Sequence, residues 1–180
     1  MKSIEEQLFE VVQQTPDKVA LISGETDVTY SQLRDYCLRT AYKLKKNYHL
    51  QKGDRVILSA AGNMEFVYVY FGVHLAGGIC VPIDPDTNQT RFNHIEASTK
   101  PICVMGILHN VALKTIPFSD VIDGTDKVEF AVPDMSEIAD ILFTTGTTGA
   151  PKGVALSYLN LAAAARNINE FVGNSADDVE

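Results

Sequence analysis

Four short runs of this sequence are apolar almost from end to end, and they constrain its fold more than any other feature. Residues 55–60 read R-V-I-L-S-A, residues 79–83 read I-C-V-P-I, residues 101–107 read P-I-C-V-M-G-I and residues 139–143 read A-D-I-L-F. A strand with one wet face alternates polar and apolar positions. Runs this continuous suit strands covered on both faces, as in a parallel sheet. Helical patterns lie between them. Ser3 and Glu6 have capping-box spacing ahead of Ile4, Leu8, Val11 and Val12, and Thr15-Pro16-Asp17 ends that helix. Thr29 and Gln32 repeat the box ahead of Leu33, Tyr36, Cys37, Thr40, Ala41 and Leu44. Residues 65–76 are apolar nearly all round, which predicts a helix enclosed between layers and stopped by Gly77-Gly78. A helix over 87–98, capped by Thr87, carries Phe92, Ile95 and Ala97. A last helix opens at Ser157 and runs through Leu161, Ala165 and Ile168 to Phe171 and Val172. Residues 19–22 and 27–30 read as a hairpin, and 121–122 and 128–132 as short strands around Asp123-Gly124. The alternation predicts an α/β fold of helices layered on a largely parallel sheet.

A chain of 180 residues can bury roughly 70% of its unfolded surface, enough for one core, so a single α/β unit over 1–180 is expected. A net charge of −8 argues against a nucleic-acid partner, which needs a basic face. The basic positions Arg34, Arg39, Lys43 and Lys46 read as a solvated helix face. Cys37, Cys80 and Cys103 have no metal spacing. Unpaired apolar cysteines point to a reducing compartment, and the N-terminus lacks a signal core, so a cytoplasmic location is expected. The longest apolar stretch, 66–78, contains His74 and is too short to span a bilayer. His74 itself reads as a hydrogen-bonded core histidine. Tyr68, Tyr70 and Phe71 read as packing, and Asp84 and Asp86 as turn residues around Pro85. Nothing in the sequence pairs His94 or His109 with a nucleophile.

Residues 144–153, T-T-G-T-T-G-A-P-K-G, break abruptly from the apolar run before them. Gly146, Gly149 and Gly153 lack a Cβ, so the backbone there can take positive φ and approach a ligand closely. Successive N–H groups in such a turn converge on an anion. Thr144, Thr145, Thr147 and Thr148 add hydroxyl donors, and Lys152 adds a point charge. The chemistry is that of a phosphate grip. It is not a Walker A loop, because the glycines are three apart and Lys152 precedes a glycine. After it, residues 154–156 read as a second short strand or a helix start.

This loop resembles the nucleotide-binding loop of the adenylate-forming enzymes, the AMP-dependent synthetases and ligases. They include the acyl-CoA synthetases, the nonribosomal peptide adenylation domains and the luciferases. Val28-Thr29-Tyr30-Ser31-Gln32-Leu33 and Leu75-Ala76-Gly77-Gly78-Ile79-Cys80-Val81-Pro82-Ile83-Asp84 resemble two further motifs of that family. One departure follows the loop. Many relatives carry His-Arg where this chain has Tyr158-Leu159. The resemblance implies the first part of the large N-terminal domain of a longer ligase. By it, Thr144, Thr145, Gly146, Thr147, Thr148, Gly149 and Lys152 hold the β- and γ-phosphates of ATP, with Mg²⁺ as the implied metal. The implied activity is ATP-dependent ligation of a carboxylic acid, such as a fatty acid, to coenzyme A through an acyl-adenylate. The alternatives are an amino-acid-activating adenylation domain with a phosphopantetheine carrier protein as acceptor, or a non-catalytic phosphate-binding module. The family's C-terminal lysine and adenine-binding motifs have no counterpart in residues 1–180. The 180-residue chain is therefore expected to be inactive alone, and to self-associate through surface that later strands cover in relatives.

Overall fold

The computed structural model describes residues 1–144 and 151–173. In chain order they form α1 (Ile4–Gln14), β1 (Val19–Ser23), β2 (Thr26–Thr29), α2 (Tyr30–Asn47), β3 (Arg55–Ser59), α3 (Met64–Ala76) and β4 (Ile79–Ile83). There follow α4 (Gln89–Thr99), β5 (Cys103–Met105), α5 (Ser119–Ile122), β6 (Ile138–Thr144), β7 (Lys152–Ser157) and α6 (Tyr158–Val172). β1 and β2 are a separate antiparallel hairpin. The other strands build one sheet in the order β5-β3-β4-β6-β7. β3 runs parallel to β4 and β5, and β4 runs parallel to β6. Among these strands only β7 is antiparallel, paired with β6 from Ile138 opposite Ser157 to Thr144 opposite Lys152.

The continuous apolar runs are explained by burial on both sides. Val56 and Leu58 of β3, Cys80 of β4 and Met105 of β5 pack with α2, α3 and α5. Ile57, Val81, Ile83 and Val104 point the other way and pack with Phe92 and Ile95 of α4. A third cluster joins α1, β2, α2 and α3 through Leu8, Val12, Val28, Leu33, Cys37 and Tyr68. That outer layer is why α3 is apolar all round: it lies between the sheet and α1 with α2. Stacking of Tyr36 on Tyr68, with ring centroids 4.5 Å apart, confirms packing rather than a ligand box there.

The caps follow the sequence pattern, with one shift. Ser3 and Thr29 form complete capping boxes with Glu6 and Gln32, and Ser157 does so with Asn160. α4 starts one residue later than expected. Its cap is Asn88, whose side chain accepts from the Arg91 N–H at 2.9 Å. The Thr87 N–H is already used by the turn, donating to Asp84 O.

Two expected strands are not strands. Residues 119–122 form the single helical turn α5, which follows hydrogen bonds from Asp120 and Val121 back to Pro117 and Phe118. Residues 128–132 form no strand. Val128 instead donates to Leu38 O of α2, so the segment has a helix and not a strand edge beside it. Short apolar runs cannot separate these outcomes by periodicity. The run 101–107 is a strand only over Cys103–Met105, since Gly106, at φ +86°, turns the backbone out of the ladder.

Gly72 marks the closest approach of α2 and α3. A Cβ built there would lie 2.5 Å from Thr40 Cγ2 and 2.6 Å from Thr40 Cβ. Gly72→Ala is expected to push the helices apart and destabilise the fold by about 1–3 kcal/mol, read as a lower urea midpoint at unchanged slope.

β7 ends the sheet, with β6 as its sole strand neighbour among the described residues. Leu142 and Val154 on the hairpin are exposed, as are Leu159, Ile168, Phe171 and Val172 on α6, Phe171 to 92%. An apolar surface beside an open edge favours association. The isolated 180-residue chain is expected to sediment as more than a monomer and to stay associated in high salt.

Candidate functional site

The segment 144–153 joins β6 to β7, and its described ends, Thr144 and Lys152, lie at the carboxyl end of the parallel strands. β4 and β6 run in the same direction, with Cys80 opposite Asp140. Thr144 therefore emerges at the same end of the sheet as Asp84, where ligands bind in open α/β sheets. Across the hairpin, Phe143 pairs with Gly153 and Thr144 pairs with Lys152. The two ends of the motif are thus held side by side. Of the site residues named from sequence, Thr145, Gly146, Thr147, Thr148 and Gly149 lie outside the described residues.

Thr144 and Lys152 are both exposed. Among the described residues no carboxylate pairs with Lys152. Gly153 has a different role from the one expected of it. It sits in β7 without positive φ, and a Cβ there would meet Phe143 Cζ at 3.1 Å and Ile141 Cγ2 at 3.2 Å. Glycine at 153 makes room for the Phe143 ring.

Two residues not singled out for the site touch its ends. Arg91 donates from Nη2 to Phe143 O at 2.8 Å. His94 donates from Nε2 to Pro151 O at 2.9 Å, and its ring stands edge-on to Phe143. Their i, i+3 spacing on α4 was the available sequence signal, but what they face is decided by the fold. Asp84 and Asp86 keep their turn roles. Asp84 Oδ1 accepts from the Asp86 N–H at 2.7 Å, and Asp86 pairs with exposed His109. Together with Thr87, Asn88 and Arg91 they line an open cavity of about 350 Å³.

Behind β6 lies a buried polar network. His74 places Nδ1 2.7 Å from Glu5 Oε1 and Nε2 3.1 Å from Asp140 Oδ1. Tyr70 donates its hydroxyl to the other Asp140 oxygen at 2.8 Å. Burial opposes a charged imidazole, but the Cys80 sulfur and the Asp140 and Glu5 carboxylates beside it outweigh burial, so the His74 pKa is held well above its usual value. Each ring nitrogen of His74 thus faces a carboxylate oxygen. The donor atoms of His74, Cys80 and Asp140 come within 4.8 Å of one another. Since carboxylates already occupy both ring nitrogens, the group is an ion-paired tie between α1, α3 and β6. Tyr158, at the position where many relatives have histidine, packs its ring against His74 and donates to His74 O at 3.4 Å. Burial pushes the phenols of Tyr70 and Tyr158 well up, which keeps both as neutral donors. Cys37 and Cys80 are buried and Cys103 is partly so. Burial raises all three thiols, Cys103 to about 12, and none is poised as a nucleophile.

A mostly parallel sheet with helices on both faces defines an open, layered α/β unit. Residues 8–179 match the family of AMP-binding enzymes, and the chain belongs to that family. It is 34% identical over 178 residues to cyclochlorotine synthetase of Talaromyces islandicus, covering 92% of this chain and 3% of that one. It is similar to the Klebsiella oxytoca NpsA N-terminal subdomain in complex with 3-hydroxybenzoyl-AMSN, at TM-score 0.77 and 23% identity, over 88% of this chain and 41% of that one. It is also similar to O-succinylbenzoate coenzyme A synthetase of Bacillus subtilis in complex with AMP, at TM-score 0.84 and 22% identity, over 95% of this chain and 47% of that one. At those identities the two solved structures establish the fold, that of the N-terminal subdomain of adenylate-forming enzymes. The chain spans under half of either solved chain and a small fraction of the curated synthetase. No helix among the described residues is long and apolar enough to cross a membrane.

Proposed function

We propose that this chain is the phosphate-gripping part of an enzyme that activates a carboxylic acid with ATP and passes the acyl group to a thiol. The observation that carries this reading is the motif 144–153 on the hairpin at the carboxyl end of the sheet, with Thr144 and Lys152 paired across the ladder and exposed. The substrate carboxylate attacks the α-phosphorus of ATP. The bond from that phosphorus to the bridging oxygen breaks, and acyl-AMP and pyrophosphate form. The thiol then attacks the acyl carbon, and AMP leaves. Thr144, Thr145, Gly146, Thr147, Thr148, Gly149 and Lys152 hold the β- and γ-phosphates and offset the charge that builds on the departing pyrophosphate. Mg²⁺, where carried by the triphosphate, would offset part of its negative charge. Asp84 Oδ1 accepts from the Asp86 N–H, and Asp86 Oδ1 faces His109. The 180-residue unit, taken alone, grips nucleotide without completing the reaction.

Two acceptors fit. The 34% identity to cyclochlorotine synthetase, of which this chain spans only 3%, favours a carrier-bound phosphopantetheine thiol in a long assembly, and hence an amino acid as substrate. Coenzyme A, with a fatty or aryl acid, is supported by the likeness in fold to a coenzyme A synthetase. ATP–pyrophosphate exchange by the native-length protein, against fatty, aromatic and amino acids, tests both. Exchange with one class names the substrate class. Silence with every acid, from a folded protein that binds ATP, overturns the ligase reading in favour of a phosphate-binding module.

A further inference from the structure

α4 faces the sheet with two kinds of side chain. Phe92 and Ile95 are buried in the core, which fixes the helix about its axis. Arg91 and His94, each one residue earlier, are half-buried polar groups aimed at the β6/β7 hairpin. Both end on backbone carbonyls. Arg91 takes Phe143 O, one residue before Thr144, and His94 takes Pro151 O, one residue before Lys152. One rigid helix therefore holds a carbonyl on each arm of the hairpin, on either side of the motif.

Core packing alone does not call for this arrangement. An apolar residue at 91 or 94 would bind α4 to the sheet equally well and would leave both carbonyls to water. The guanidinium also makes a charge-assisted hydrogen bond, stronger than a neutral one, one residue before the last described pair of the ladder, Thr144 and Lys152. Asn88 caps the helix start, and Gln89 accepts from Ala112 N, so the clamp is itself anchored at its base.

We propose that Arg91 and His94 are positioning residues for polyphosphate. They fix the paired arms against α4, so that a bound triphosphate meets ends already in place and less ordering free energy is lost on binding. This rests on the phosphate-gripping reading of 144–153, and the test separates the two.

The native-length protein and its Arg91→Gln, His94→Phe and Arg91→Lys variants are compared by amide hydrogen exchange and by ATP affinity. Arg91→Gln and His94→Phe are each expected to weaken ATP binding about tenfold. Exchange should rise at residues 143–144 and 152–153 and stay unchanged in β3. Arg91→Lys keeps a charged donor and should recover most of the affinity. Faster exchange at the hairpin with unchanged ATP affinity overturns the positioning role. So does exchange that rises equally in β3, which would show a merely structural strut. If the wild-type protein binds no ATP, the proposed function fails, and the exchange measurement alone decides whether the clamp exists: a local rise supports it and no rise overturns it.

Discussion

Asp140→Ala is expected to destabilise the protein by about 3–5 kcal/mol, the cost of leaving a buried charge without its partner. Asp140 and Glu5 hold His74 between them with side chains 5%, 1% and 0% exposed. Removing one carboxylate strands part of a charged imidazole and frees the Tyr70 hydroxyl as well. Chemical denaturation at neutral pH gives the number, and a loss under about 1 kcal/mol would mean that His74 is neutral in the fold. The sign of the pH dependence follows from the raised His74 pKa. A group held above its unfolded value, 6.5 for histidine, contributes stability that is fully present below that value. The contribution is lost as pH rises through the folded pKa. Stability of the wild-type protein should therefore fall as pH rises above the unfolded value of 6.5, while His74→Gln should be flatter over the same rise.

Loss of the hydroxyls at Thr147 and Thr148 is expected to lower ATP–pyrophosphate exchange by about 10²–10³-fold, the effect of removing donors aimed at charge that develops in the transition state. The double alanine variant of the native-length protein should keep its melting temperature when no nucleotide is present, since a hydroxyl that serves a ligand stabilises the fold only when that ligand is bound. A fall in kcat with little change in KM for ATP would mark the contact as one made in the transition state. Exchange within threefold of wild type would remove these threonines from the site. Lys152→Ala should act in the same direction, because no carboxylate among the described residues competes for its charge.

The sheet was legible in the sequence because its strands are buried on both faces. A strand such as Val56-Ile57-Leu58 has no polar side to show, and few folds accommodate that. Helix starts were legible because Ser3, Thr29 and Ser157 satisfy N–H groups within four residues of themselves, a purely local matter. Residues 121–122 and 128–132 were misread for the opposite reason. Their state depends on what lies beside them, and α2 rather than a strand edge does.

The same division runs through the site. The adenylate-forming family was legible from the resemblance of contiguous motifs such as 144–153, where glycines, hydroxyls and a lysine stand together as one anion would require. The contacts of His94, Arg91 and Glu5 were decided only in three dimensions. His94 stands 57 residues from Pro151, Arg91 stands 52 from Phe143, and Glu5 stands 69 from His74. No local pattern encodes such pairings, because they are set by where parallel strands and their crossover helices come to rest against one another.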